Sequence, residues 1–383
     1  MNFDFSEEQT QLDDMLQRFV RNDYGFDARQ NILNSEQGFS QKIWQQFAEL
    51  GLLALTLPED CDGFGGTAVD TLLVMQSLGR ALVLEPYLPT VLSAALIATA
   101  GSDEQRRALL PKVASGQCIV TLAHAEAEAR YQLNYVTTRA EQNKDGFYIT
   151  GHKAVVLAGQ HAGMLIVSAR TAGNVGDSDG ISLFLVDPKL DGVSLTAYRN
   201  HDGQSAADIH FNAVQLGAEA LLGELHQALP LLKAHRDTAI AALCAEAVGI
   251  MDALIAETGE YLKTRKQFGV QLGVFQALQH RMADMLLHTE QARSMAYLAA
   301  GKHDADEATR ARIMAAAKTL VGQSARFVGQ QAVQLHGGIG VTEELIIGHY
   351  FKRLTLINAS LGDADYHLGR FSDMMVAAQL AAG

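Results

Sequence analysis

The apolar pattern of this chain changes period twice, and this change constrains the fold more than any other feature. Residues 1–118 follow the helical period, and Ser6 to Gln9 (SEEQ) form a capping-box signal at the start of the first helix. Residues 119–224 consist of short β-branched runs separated by Gly, Asp and Asn, without intervening helices. Residues 225–383 return to long helical stretches. The sequence therefore predicts an α+β fold: an N-terminal helical domain, a middle β domain forming a small, mostly antiparallel sheet or barrel, and a C-terminal four-helix bundle.

The pattern also predicts where individual helices begin and end. In the first region, GSDEQRRALLP pairs a helix cap with a short helix that Pro111 should end. In the third region, long helices are predicted over four stretches, 226–264, 275–301, 306–335 and 342–360. Long antiparallel helices of this kind usually form a bundle.

Charge and cysteine content exclude some broad classes of function. The net charge of −13 argues against a non-specific nucleic-acid binder, which needs a surplus of Lys and Arg. The three cysteines, Cys61, Cys118 and Cys244, are far apart in the sequence, so neither a disulfide framework nor a thiolate metal site fits. The opening MNFDFSEEQ lacks a basic and an apolar signal region, and no apolar run reaches transmembrane length. We expect a soluble cytoplasmic protein with no membrane, nucleic-acid or metal partner.

Two glycine-containing motifs lie in the helical third region. RKQFG (265–269) ends one long helix with two cations shortly before the next helix begins. An arginine beside a helix N-terminus can hold a phosphate, although basic residues also favour helix C-termini for capping alone. QLHGGIG (334–340) exposes backbone N–H groups, but it follows a helix rather than a strand, so it is not a Rossmann fingerprint. Each motif taken by itself is more simply a helix cap.

Taken together, the two motifs and the α–β–α order resemble the acyl-CoA dehydrogenase family. The resemblance covers nearly the whole chain. FSEEQ is similar to the opening of the family's first helix, LPEDCDGFGG to its glycine loop, and LGRALVLEPYLPT to the helix after that loop. GSDEQRRALLPKVASGQ resembles the segment that leads into the β domain, and GFYITGHKAVV and IHFNAVQLGAEALLGE resemble its strands.

The resemblance implies an FAD-dependent oxidoreductase that desaturates an acyl-CoA between its α and β carbons. In the family, FAD lies between subunits of a tetramer, with the isoalloxazine on the β domain of one subunit and the ADP half on helices of a neighbour. Electron-transfer flavoprotein is the expected acceptor of the electrons. Carried over motif by motif, the residues that bind the ADP half would be Arg265, Phe268, Gln276, Gln334, Gly337 and Gly338.

The catalytic base of the family is missing from this sequence. Many members carry a glutamate before a glycine some distance after the GG turn, and counting from Gly337 that position is Leu361 in SLGDAD. Leucine cannot take a proton. Other members place the glutamate on the first long helix of the C-terminal domain, where this chain has Ala239. Asp237, two residues earlier, should point elsewhere on a helix. We therefore predict no catalytic residue in this chain.

The β-domain positions that contact flavin in the family are also altered. The loop that usually reads Thr-Glu-Pro before small residues is AEAEARYQL, where Glu126 keeps the glutamate position but Arg130 and Tyr131 replace small residues. Val155 and Leu157 occupy the positions of a tryptophan and a hydroxyl residue. The residues with which a subunit would contact its own flavin are thus changed. The residues that would bind the ADP half of a neighbour's FAD, which we call the half-site, are intact.

This division predicts a particular kind of chain within the family. It resembles the small, non-catalytic subunit of heteromeric acyl-CoA dehydrogenases of the pimeloyl-CoA dehydrogenase type, and similar pairs act on steroid side chains. Such a chain would complete the FAD site of a catalytic sister subunit in an α2β2 heterotetramer. A homotetramer remains the alternative assembly.

Two other interpretations stay open. Asp363 or Asp365, close to the expected base position in LGDADYH, could be a displaced base, although a helix would turn position 363 away from 361, and aspartates often cap helices. Alternatively, the chain could be a flavoprotein of this fold with non-dehydrogenase chemistry, such as a desulfinase or monooxygenase relative, or a purely structural subunit.

Overall fold

The computed structural model describes residues 5–382, and it describes side chains as far as residue 380. Residues 1–4 of the first predicted region and residue 383 of the third lie outside the described part of the chain. Helices dominate both ends of the chain. They are α1 (Glu7–Asp23), α2 (Phe26–Leu33), α3 (Gln41–Glu49), α4 (Ala68–Ala81), α5 (Tyr87–Ala100), α6 (Asp103–Ala114), α7 (Ala228–Thr264), α8 (Gln276–Gly301), α9 (Glu307–His336), α10 (Ile346–Ala359) and α11 (Ala364–Ala382).

The middle of the chain forms one mixed sheet. Its strands are β1 (Val120–Ala123), β2 (Arg139–Gln142), β3 (Phe147–Leu157), β4 (Met164–Arg170), β5 (Ile181–Val186), β6 (Val193–Arg199), β7 (Ser205–Leu216) and β8 (Leu221–Leu222). The strand order is β6-β7-β3-β2-β4-β5-β8, and β1 pairs with β4. Only the β1–β4 and β2–β4 pairings are parallel among the described strands. The predicted α+β fold, with a mostly antiparallel middle region, is confirmed.

The chain divides into two compact units. One contains the described part of Met1–Asn31, together with Ala68–Val83 and Asp237–Gly383 as far as residue 382; it is helical apart from a short hairpin. The other contains Ile32–Thr67 and Leu84–Arg236, and it holds the sheet and the helices α3, α5 and α6. We call them the helical unit and the sheet unit.

The core of the sheet unit has two parts. Apolar residues of α5 and α6, such as Ile97 and Leu110, pack with Val120 and Ile166 of the sheet. A second cluster fills the space between strands, where Phe147 and Phe184 meet edge to face with ring centroids 4.9 Å apart. These cores fix the strand ends from which the predicted flavin-facing residues emerge.

Helix α7 alone has the length and apolarity to cross a membrane among the described residues. However, 78% of its most apolar window is buried within the protein, as is usual for the core helix of a soluble protein.

The predicted helix boundaries agree closely with the structure, with one correction. The capping box of Ser6 and Gln9 is present, and the four long helices lie within a few residues of their predicted ends. Helix α6, however, continues through Pro111 to Ala114. Proline removes only one backbone bond near the end of a helix, and Leu110 and Val113 on either side of it are fully buried, so their packing keeps the turn helical.

Candidate cofactor half-site and base position

The RKQFG motif forms a tight hairpin at the end of α7. The Arg265 backbone N–H still donates to Tyr261 O at 2.8 Å, and two short strands follow, β9 (Lys266–Gln267) and β10 (Val270–Gln271). Phe268 and Gly269, at the turn, have φ of 55° and 82°. Two successive positive φ values suit a two-residue hairpin turn. The turn lifts the Phe268 side chain away from the protein, and 90% of it is exposed.

The QLHGGIG motif forms the turn at the end of α9. Gly337, the C-cap, has a φ of 66°, which glycine adopts without strain. A Cβ built on Gly337 or Gly338 would meet no protein atom within 4 Å. The backbone of this turn therefore faces open space, into which a ligand can approach closely.

The structure brings the two motifs together through Tyr261. Its ring stacks on the His336 ring, with centroids 4.4 Å apart, and its hydroxyl donates to the His336 carbonyl at 3.3 Å. Tyr261 precedes Arg265 by one helical turn, and His336 directly precedes Gly337. A hydrogen bond from Arg281 of α8 to Gln331 of α9, 3.1 Å long, holds the adjacent helices.

All six predicted cofactor residues lie in the helical unit and are exposed: Arg265, Phe268, Gln276, Gln334, Gly337 and Gly338. Gln276 begins α8 next to Phe275, whose ring meets that of Phe268 edge to face at 6.3 Å. The exposed cation can pair with a phosphate, the exposed aromatic ring can stack on a base, and the two amides can form hydrogen bonds. The open glycine turn lets a nucleotide approach the backbone closely. The residues present thus fit the ADP half of FAD.

In the sheet unit, Glu126 anchors the loop that follows β1. Its carboxylate accepts hydrogen bonds from the backbone N–H groups of Thr137 and Thr138, at 2.7 and 3.0 Å, and from the Thr137 hydroxyl. Lys153 forms an ion pair with it at 2.7 Å, and both side chains are almost fully buried. The role of Glu126 here is structural.

The pKa values of Glu126 and Lys153 are both shifted, and both groups are charged at neutral pH. Burial would raise the pKa of Glu126, but the charge and hydrogen bond of Lys153, with the Thr137 bonds, lower it to about 2. Burial lowers the pKa of Lys153 to about 8 despite the opposing effect of Glu126. Between these two values the ion pair is formed.

Two of the other predicted flavin-facing positions carry strained backbone. Arg130 and Val155 have φ of 47° and 52°, a region that costs most for a β-branched residue. Val155 lies in a bulge of β3, where its N–H donates to Asp208 at 3.0 Å and the pairing with β7 shifts register. Val155 is 50% exposed and Leu157 is 36% exposed. The side chains at these two positions are apolar and carry no hydroxyl.

The position expected for the base carries Leu361, and hydrogen bonds hold the backbone of this loop in place. Leu361 lies between α10 and α11 with a φ of 58°, and its carbonyl accepts from His367 Nε2 at 2.9 Å. Lys318, buried on α9, donates to the carbonyls of Ile357, Asn358 and Gly362 at 2.9, 2.8 and 2.7 Å. Burial lowers the pKa of Lys318 to about 8. Its ammonium group caps the end of α10 and fixes the loop.

The neighbouring carboxylates have other roles. Asp363 accepts from the Tyr366 N–H at 2.8 Å, so it caps α11, as the cap interpretation predicted. Ala239, the second base position, is buried on α7. Asp237 turns away from it and contacts Arg310 of α9 at 3.3 Å, as the helical geometry predicted.

Sequence reasoning missed the residues that support these positions. Lys153, Lys318 and Tyr261 each act through partners distant in the sequence, so no local motif marks them. The one available signal was Lys153, a cation inside a strand whose neighbours are apolar.

The chain folds as a helical region, a mixed sheet and a second helical region, and the last carries the six exposed residues predicted to bind a nucleotide. Family models described as "Acyl-CoA dehydrogenase" match all three parts: the N-terminal domain at residues 6–117, the middle domain at 121–214 and the C-terminal domain at 239–375. The chain belongs to the acyl-CoA dehydrogenase family.

Relatives and solved structures agree with this assignment. The chain is 27% identical to the probable acyl-CoA dehydrogenase YngJ of Bacillus subtilis, over 95% of this chain and 97% of the relative. It is similar to a Tcur3481-Tcur3483 steroid ACAD variant, with a TM-score of 0.86 and 30% identity, covering 98% of this chain and 99% of that one. The ChsE4-ChsE5 complex of Mycobacterium tuberculosis matches with a TM-score of 0.88 and 25% identity, over 98% and 99% of the two chains.

The family fixes the coarse chemistry. Its members are oxidoreductases acting on CH–CH bonds, they use FAD, and they oxidise acyl-CoA thioesters.

Proposed function

We propose that this chain is the non-catalytic subunit of a heteromeric acyl-CoA dehydrogenase that introduces an α,β double bond into an acyl-CoA. It completes the FAD site of a catalytic sister subunit in an α2β2 assembly. The observation that carries the proposal is the combination of an open, exposed nucleotide half-site with Leu361 at the base position. A leucine has no group that can take the α-proton.

Six residues would hold the ADP half of the partner's FAD. Arg265 can form a forked pair with the diphosphate, Phe268 can stack on an aromatic ring, and the amides of Gln276 and Gln334 can bond polar edges. The Gly337–Gly338 turn leaves open space where a side chain would stand at either glycine, so a ligand can approach its backbone closely. When bound, FAD accepts the hydride that leaves the β carbon. The base that takes the α-proton belongs to the partner.

The altered flavin-facing positions support the same division of labour. Exposed Val155 and Leu157 offer apolar contact and no hydrogen bond, and Arg130 replaces a small residue in the loop after β1. A chain that needs a sister for catalysis has no need of these contacts. One of the similar structures is the ChsE4-ChsE5 complex, and another is the steroid ACAD Tcur3481-Tcur3483. We further propose a cytoplasmic location and electron-transfer flavoprotein as acceptor.

The flavin-to-chain ratio tests the proposal. The chain is purified alone and together with a candidate sister subunit, an acyl-CoA dehydrogenase of the same organism that carries the glutamate base, and bound FAD is measured by absorbance. We expect little FAD on the lone chain, about one FAD per heterodimer in the complex, and turnover only in the complex. A lone chain that binds one FAD per subunit and oxidises acyl-CoA overturns the proposal.

Matched variants test the half-site itself. Arg265→Gln should lower FAD retention by the complex about tenfold or more, because a charge-assisted bond to a phosphate is lost. Lys263→Gln removes an exposed cation two residues earlier, paired with Glu260 on the same helix, and should change little. Equal effects of the two substitutions would show that only general charge matters.

The displaced-base alternative has its own test. Asparagine at position 363 can still accept the Tyr366 N–H, so Asp363→Asn keeps the cap and removes only the proton acceptor. Under our proposal the complex containing this variant keeps its turnover. A loss of orders of magnitude would make Asp363 the base.

A further inference from the structure

We propose that His349, held in one tautomer by Arg29, is a positioning residue that fixes the glycine turn of the half-site. This inference rests on the proposed function, because the turn matters for FAD only if the half-site is used. It adds a residue outside both sequence motifs to the machinery that presents the turn to a ligand.

The hydrogen bonds of His349 define its tautomer. Arg29 Nη1 lies 3.2 Å from His349 Nδ1, and an arginine can only donate, so Nδ1 accepts. The proton of the neutral ring is then on Nε2, which donates to the Glu343 carbonyl at 3.1 Å. The Gln30 amide nitrogen lies 3.3 Å from the same Nε2, but both atoms then carry hydrogen, so Gln30 donates to the Glu343 carbonyl instead. His349 thus links Arg29, through its two ring nitrogens, to the segment that follows the glycine turn.

Arg29 is itself firmly placed. Its side chain is 1% exposed, and its Nε donates to the Leu82 carbonyl at 2.9 Å. The ring of Phe26, one turn earlier on α2, meets the His349 ring edge to face with centroids 5.4 Å apart. Gln30 adds a second donor to the Glu343 carbonyl at 3.2 Å. Helix α2 therefore holds the turn from one side.

The turn is then anchored at both ends. At its beginning the His336 carbonyl accepts from Tyr261, and at its end the Glu343 carbonyl accepts from His349. Between them, Gly348 of α10 packs against the turn, and a Cβ there would lie 3.4 Å from the Thr342 carbonyl oxygen and 3.5 Å from that of Gly340. Loss of the His349 anchor removes one of the two hydrogen bonds described above to the Glu343 carbonyl, which loosens the turn at this end.

Protonation of His349 would break this arrangement. A second N–H on Nδ1 would face the donors of Arg29, while Lys352 on the same helix adds a further positive charge. The Glu343 carboxylate, 3.5 Å from Nε2, opposes this effect. Burial first, and then Arg29 and Lys352, outweigh it and lower the pKa of His349 below its usual value. The ring therefore stays neutral to a lower pH than an ordinary histidine, and the anchored turn weakens only as the pH falls through that lowered pKa.

Hydrogen exchange on the lone chain tests the anchor without FAD. His349→Leu should speed exchange of the backbone amides of residues 338–344 about tenfold, the equivalent of one lost hydrogen bond. His349→Gln can still accept from Arg29 and donate to Glu343, so it should stay close to the wild-type protein and lose the acid-dependent increase. Unchanged exchange in His349→Leu, or no rescue by His349→Gln, overturns the inference.

FAD retention by the complex separates this inference from the proposed function. We expect His349→Leu to release FAD about tenfold more readily than His349→Gln, by the same loss of one hydrogen bond. If Arg265→Gln weakens FAD binding and His349→Leu does not, the positioning role fails and the half-site stands. If neither substitution has an effect, the half-site itself fails.

Discussion

The buried pair of Lys153 and Glu126 shows how single residues support the predicted flavin loop. Lys153 donates to Glu126, to Ser168 Oγ at 3.1 Å and to the His124 carbonyl at 3.3 Å. Glu126 in turn fixes the backbone of Thr137 and Thr138. One ion pair therefore holds three segments of the sheet unit, and removing either partner leaves the other charge buried.

Lys153→Met should lower the free energy of unfolding by about 3–5 kcal/mol, because it leaves the Glu126 carboxylate uncompensated. Urea unfolding followed by circular dichroism measures this loss. Lys144→Met removes an exposed lysine from the turn before β3 and should change stability by less than about 0.5 kcal/mol. A loss below about 1 kcal/mol for Lys153→Met would contradict a buried charge in this position.

The same pair gives a pH dependence of stability. The pKa of Glu126 is lowered from 4.5 to about 2, so its contribution is present above pH 4.5 and is lost as the pH falls toward 2. Glu126→Gln lacks this titration. Its stability at neutral pH should be lower, and its loss of stability on acidification below pH 4.5 should be shallower than that of the wild-type protein. Parallel curves for the two proteins would refute the assignment.

At the scale of elements, two glycines let α4 and α7 approach closely in the helical unit. A Cβ on Gly249 would lie 2.0 Å from the Gln76 carbonyl oxygen, and a Cβ on Gly79 would lie 2.4 Å from that of Glu246. Backbone atoms cannot move aside as flexible side chains can. The Glu246 side chain also pairs with Arg353 of α10, with Oε2 2.6 Å from Nη2. These contacts fix α7, whose end carries Arg265.

Gly249→Ala should destabilise the protein by about 1–3 kcal/mol, since the added methyl group forces α4 and α7 apart. Gly259→Ala is the matched control on the same helix, because a Cβ there meets nothing within 4 Å. It should be neutral or stabilise by up to about 1 kcal/mol through helix propensity. Thermal unfolding distinguishes them, and equal effects would mean that the close approach does not limit packing.

The extent of prediction from sequence also differs between elements. Long helices were predicted well because each carries its own apolar period over many turns. The Pro111 prediction was wrong because burial of Leu110 and Val113 outweighs one missing backbone bond. The motifs of the half-site were found because each is contiguous. The anchors of the base position and of the glycine turn, Lys318 and His349, depend on contacts between distant helices, which no local pattern records.

At the scale of the whole molecule, the helical unit exposes large apolar side chains around the half-site. Phe268 is 90% exposed, Val274 56%, Leu287 62% and Val341 71%. Clustered apolar exposure of this kind marks a surface for a partner. In our proposal the sister subunit covers it and contributes the flavin that the half-site receives.

Phe268→Ser should leave the stability of the lone chain within about 0.5 kcal/mol, because the side chain contacts little of its own protein. It should reduce FAD retention by the heteromeric complex about tenfold, through loss of a stacking contact. Gel filtration with absorbance at flavin wavelengths measures both assembly and retention. Phe64→Ser removes an exposed ring from the sheet unit as a control. A complex that keeps its FAD in Phe268→Ser would remove this residue from the half-site.

The left-handed backbone at Leu361 has one more consequence. This conformation costs about 1–2 kcal/mol for any residue other than glycine and a few small polar ones. Leucine and glutamate bear that cost alike, since both are unbranched at Cβ. The gain or loss of a base at this position therefore leaves the backbone contribution to the free energy of folding almost unchanged. In our proposal, evolution can exchange a catalytic subunit for a supporting one here without adding backbone strain.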